Sequence, residues 1–157
     1  MNKQEGLTLI ELLATISILV AVVTVMLVLG DRAVGQTGYL AAQTQAVFLS
    51  KEGVERAKEN RGEIRAFMEE ETEESFWLLS YKEGVERKSD LQECRERLNV
   101  ENSPGFYGYG SGEESPFSRC ATVWPEDEDG GMEVLVETFF DHRTEEVSVK
   151  LHRTFYD

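Results

Sequence analysis

The 157-residue sequence predicts an α+β chain in which one long N-terminal helix is laid on a C-terminal antiparallel β-sheet. Three patterns predict it. Residues 7–30 form an apolar run with a single charged side chain, Glu11. Residues 40–68 repeat apolar side chains at helical spacing. Residues 132–140 and 147–155 alternate apolar and polar side chains with the period of two that a half-buried strand requires.

The chain opens on a short polar leader, MNKQEG. The run from Leu7 to Gly30 would make a helix about 36 Å long, enough to cross a hydrocarbon core of about 30 Å. Its apolar stretch is longer than the usual core of a secretory signal, and no small-x-small cleavage site follows it. It contains no proline, since Pro104, Pro116 and Pro125 all lie far downstream. Ala14, Ser17 and Ala21 fall near one face; Ser17 and Ala21 have a spacing that permits close helix approach, though chance composition explains it as well. Lys3 and the starting amine precede the run and a strongly acidic part follows it. The positive-inside rule therefore leans towards an N-terminus in the cytoplasm and a head outside.

Glu11 is the informative residue of the run. A carboxylate at mid-bilayer costs on the order of 2.5–3.5 kcal/mol, and less near a helix end. Taken alone it reads either as a charge that snorkels to the headgroups or as a functional group. Its surroundings are Gly6 followed by Leu7-Thr8-Leu9-Ile10-Glu11-Leu12-Leu13. This segment resembles the processing site of type IV prepilins and type II secretion pseudopilins. The resemblance covers roughly the first thirty residues. It implies cleavage after Gly6 by a prepilin peptidase, N-methylation of the new terminal residue Leu7, and a glutamate, Glu11, as fifth residue of the mature chain. It also implies packing of residues 7–30 into a filament core with other pilins or pseudopilins, after residence in membrane lipid. Many members of that family carry a helix-breaking proline in this region; its absence here favours a minor pilin or pseudopilin. Physical reasoning gives Glu11 a role in assembly. It lies about 6 Å along the axis from Leu7, so it would pair with the Leu7 amine of a neighbouring subunit and fix the axial register.

Beyond the anchor, Gly30, Gly35 and Gly38 suggest a flexible or bent joint. Residues 31–62 then read as the amphipathic continuation of the helix. Leu40, Val47, Val54 and Ala57 lie on one face, continued by Ile64 and Met68, and Asn60-Arg61-Gly62 is its expected end. Residues 63–157 read as the β-rich extracytoplasmic head. Residues 69–74 form an acidic, solvated connection, and residues 76–81 a strand. A turn at 82–84 leads to a return strand at 85–88, and Ser89-Asp90 would cap a short helix through Leu98. Residues 99–119 read as a loop displaying Phe106, Tyr107 and Tyr109, a candidate contact surface if not simply packed over the sheet. The strand at 120–124 precedes the hairpin 132–155, one side of which would pack on the helix while the other meets solvent.

Cys94 and Cys120 are the only cysteines. Outside the cytoplasm an even count favours a disulfide worth roughly 3 kcal/mol, with two buried thiols as the alternative. No CxxC is present, and His142 and His152 have no spacing suited to a metal site or a triad. The acidic turn Glu126-Asp127-Glu128-Asp129-Gly130 offers carboxylates that could hold calcium, but it fails the EF-hand spacing and reads by default as a solvated turn. Gly108-Tyr109-Gly110-Ser111-Gly112 misses the nucleophile-elbow pattern.

The formal net charge is −14, of which Lys3, Glu5 and Glu11 account for −1, leaving −13 beyond Gly30. Such a surface does not grip phosphates, so direct nucleic-acid binding is not expected. The sequence thus predicts a structural subunit of a pilus-like filament serving secretion, DNA uptake or adhesion, with no catalytic centre, cofactor or metal. The alternative is an unprocessed, membrane-anchored binding module.

Overall fold

The structure, a computed structural model, describes residues 9–68, 75–79, 85–100, 107–109, 112–124 and 131–156. The chain divides into two compact units, Met1–Leu40 and Ala41–Asp157. Helix α1, Leu9–Glu59, contributes residues to both.

In the first unit every described residue from Leu9 to Val34 is exposed. The polar side chains of the apolar run satisfy themselves. Thr15 Oγ1 donates to Leu12 O, Ser17 Oγ to Leu13 O and Thr24 Oγ1 to Val20 O, each at 2.8 Å. Among the described residues of the run, these three hydroxyls need no partner from a surrounding apolar phase. The glycine-bearing stretch where a joint was expected is helical throughout. Glycine costs a helix about 1 kcal/mol against alanine, but it retains the backbone donor that proline would remove, so the ladder continues.

In the second unit α1 buries Ala46, Leu49, Ser50, Gly53, Val54 and Ala57. Their spacing of three and four makes one stripe. Helix α2, Arg61–Met68, follows and buries Ile64 and Met68. Gly62 therefore lies inside α2; the chain interrupts the helix at Asn60 and restarts it.

Among the described residues the sheet has seven strands: β1 Ser75–Leu79, β2 Val85–Lys88, β3 Arg97–Val100, β4 Tyr107–Gly108, β5 Glu113–Trp124, β6 Met132–His142 and β7 Glu145–Phe155. All pairings are antiparallel. Strand β5 is the spine. Strand β6 pairs with one of its edges from Phe117 to Trp124. On the other edge β1 takes Ser75–Trp77 against Ala121–Val123, and β3 takes the earlier part of β5. The β6–β7 hairpin is in register over its whole length, from Met132↔Phe155 to His142↔Glu145. Its two-residue turn begins with Arg143 at φ 59°, a left-handed conformation in a non-glycine residue.

The sheet face under α1 and α2 holds the main core: Val54, Ala57, Ile64, Met68, Trp77, Leu79, Ala121, Val123, Met132, Val134 and Val136. Ser50 bonds Thr138, and Gly53 lies against Val136. Within this unit the α1 segment from Ala41 on therefore runs antiparallel to β6 and parallel to β5 and β7.

The middle of the head departs from expectation in three ways. The short helix α3, Leu91–Cys94, is capped by Asp90, whose carboxylate accepts from Glu93 N, but it stops at Cys94. Residues 97–100, 107–108 and 113–119, expected to continue that helix or to form a loop, are strand. Pro116 is accommodated because β5 shifts register against β3 there, so no ladder bond is owed by its missing N–H. The second face of the sheet does not simply meet solvent. Leu78, Cys94, Cys120 and Phe139 form a second cluster, covered by Phe76, Leu91 and Tyr109.

Candidate anchoring and processing segment

By length and composition α1 is able to cross a membrane. Within it Glu11 occupies the first described turn and is exposed. A carboxylate at this end of a helix meets the positive pole of the helix dipole. At 100° per residue Glu11 shares a face with Thr15, Ile18 and Val22. Ala14, Ser17 and Ala21 form a separate stripe. The expected processing residues, Gly6 and Leu7, lie outside the described residues.

In the head, Cys94 and Cys120 are joined, with an S–S length of 2.06 Å and Cα atoms 5.3 Å apart. The bond ties α3 to β5 beneath the second cluster. Two aromatic residues expected on a displayed loop are turned inward instead. The Tyr107 ring meets Phe117 edge-on at 6.3 Å, and its hydroxyl bonds the Gln45 side chain of α1. The Tyr109 hydroxyl donates to Arg119 O at 2.6 Å. Burial of that hydroxyl pushes the Tyr109 pKa up to about 12, against the opposing pull of the Arg119 charge. The third, Phe106, lies outside the described residues, as does the acidic turn at 125–130.

Among the described residues no three His, Cys, Asp or Glu side chains converge as a metal site. His152 stands 3.7 Å from Glu133 and edge-on to Trp124. A shallow cavity of about 260 Å³ on the second face is lined by Arg95, Arg97, Phe139, Asp141 and Glu146 among others. Its guanidiniums are occupied by carboxylates: Arg95 bonds Glu146 at 3.2 Å, and Arg97 contacts Glu114 at 3.2 Å and Asp141 at 3.3 Å.

Sequence reasoning missed the group that fixes α1 to the sheet. Arg119 of β5 is 0% exposed. Its guanidinium donates to Leu49 O of α1 at 2.9 Å and to Leu79 O of β1, and its Nη1 lies 3.6 Å from Glu52 Oε2. Beside it Ser50 and Thr138 share a hydrogen bond of 2.8 Å. The signal was present in the alternation Phe117, Arg119, Ala121, Val123, which puts a cation on the apolar face.

No curated protein and no solved structure matches the chain. Residues 1–27 match the family described as the prokaryotic N-terminal methylation motif. That motif, on a long N-terminal helix followed by an antiparallel sheet, is the arrangement in which the chain resembles type IV prepilins and pseudopilins.

Proposed function

We propose that the protein is a minor pilin or pseudopilin, a non-catalytic subunit of a type IV pilus-like filament. The observation that carries this reading is the methylation motif at residues 1–27, running into an exposed apolar helix. A prepilin peptidase would cut after Gly6 and leave Leu7 as the methylated terminus. The subunit would wait in the cytoplasmic membrane, N-terminus inside and head outside. Assembly would then transfer its apolar surface from lipid to neighbouring pilin helices, at little cost in apolar exposure. Glu11 would pair with the Leu7 amine of an adjacent subunit, since two charges costly in lipid become tolerable together. The filament would serve secretion, DNA uptake or adhesion, and an acidic head makes this subunit an unsuitable direct ligand for DNA.

The test is intact mass and N-terminal sequencing of the chain from its native membrane, with and without the peptidase. A chain beginning at methylated Leu7 only when the peptidase is present is the expected result. A chain beginning at Met1 in both cases would overturn it and leave a membrane-tethered binding module. Given processing, Glu11→Ala should insert normally but fail to enter filaments.

A further inference from the structure

Strand β7 ends the sheet on an open edge: among the described residues it pairs with β6 alone. It is 11 residues long, and over that length it has no glycine, proline or bulge. Proline and bulges are among the devices that usually protect an edge strand from pairing; of the others β7 carries charged side chains, Lys150 among them. Its apolar row is also unfinished. Val147, Val149, Leu151 and Phe155 face the α1 side but are only half-buried.

The sequence of the edge is complementary to itself. Set β7 antiparallel to a second β7 about a twofold axis at Val149, and Glu145 stands opposite Arg153, Val147 opposite Leu151 and Val149 opposite Val149. On the other face Glu146 stands opposite His152 and Ser148 opposite Lys150. Charges of opposite sign and apolar side chains thus meet their match at each cross-strand position. Within one head Glu146, Lys150 and His152 already contact Arg95, Glu137 and Glu133. Glu145 and Arg153 are exposed and have no ion pair among the described residues.

We infer that β7 is a docking edge for a second copy of this chain, joined by antiparallel strand addition centred on Val149. The two sheets become one, with both helices on the same face. The twofold also reverses the part of α1 that lies along β7 within this unit. A pairing of nine residues is small for a stable dimer, so a single contact is weak and many copies on one surface act together. This inference concerns the head and stands whether or not the N-terminus is processed.

The experiment uses the full chain with Val149→Cys in phosphatidylcholine vesicles, under mild oxidation. The expected result is a disulfide-linked dimer. Adding Glu145→Arg or Arg153→Glu should lower the dimer yield at least fivefold through like-charge opposition, and combining them should restore it. Unchanged far-ultraviolet circular dichroism controls for folding. No dimer from Val149→Cys, equal yield from all four chains, or no recovery in the combined chain would each overturn the proposal.

Discussion

Gly53 of α1 sits directly on Val136 of β6: a Cβ at Gly53 would stand 2.7 Å from Val136 Cγ1 and 3.1 Å from Arg119 Cδ. Val136 is wholly buried, so it has nowhere to retreat. The missing side chain of the glycine lets helix and sheet come close there.

Gly53→Ala is therefore expected to destabilise the head by about 1–3 kcal/mol, the usual cost of overpacking, despite alanine's better helix propensity. Gly62 in α2 provides the contrast, because nothing lies within 4 Å of its Cβ position. Gly62→Ala should gain about 0.5–1 kcal/mol. Thermal unfolding of both variants in detergent checks the pair, and the same sign of shift in both would refute the account.

Arg119 reads as a cross-link between α1, β1 and β5. Arg119→Ala should cost about 3–5 kcal/mol: it removes two hydrogen bonds and leaves a cavity under the helix. Arg119→Met fills the space without the charge and should cost clearly less, because burying a guanidinium carries its own desolvation penalty. Denaturant unfolding distinguishes the two. Equal losses would mean that the charge, and not the volume, holds the helix down.

Tyr109 gives the head an alkaline limit. Its pKa is raised from 10.0 to about 12 in the fold. Below pH 10 both folded and unfolded chains hold the proton, and the stabilisation is fully present. As pH rises from 10 towards 12 the unfolded chain releases the proton first, and stability falls. Tyr109→Phe should lose about 1 kcal/mol at neutral pH, from the missing bond to Arg119 O, and should show a shallower decline above pH 10. Unfolding free energies of both chains at pH 8, 10 and 11 test this; parallel declines would exclude Tyr109 as the cause.

The anchor, the amphipathic stripe of α1 and the β6–β7 hairpin were legible because each is a local pattern. Twenty-four residues with one charge, a spacing of three and four, and strict alternation need no distant partner to be read. Glu11 and the motif around it were legible for the same reason. The middle of the head was not. Residues 97–119 are rich in Gly, Ser, Pro and Tyr, and the strand state of residues 97–100, 107–108 and 113–119 comes from pairing β3, β4 and the early part of β5 with one another. Pairing across long separations overrides local propensity, and no short window contains it.

The sequence by itself determined that this chain is an α+β protein whose N-terminal helix is long and apolar enough to cross a membrane and carries an N-terminal methylation motif. These rest on composition, periodicity and the spacing of a few adjacent residues. Only the tertiary structure decided that Cys94 meets Cys120, that Tyr107 and Tyr109 turn inward, and that Gly53 and Arg119 hold α1 to the sheet. It also decided that, among the described residues, β7 pairs with β6 alone. Each of these depends on which residues a long-range register brings face to face, a property of the folded chain and not of any stretch within it.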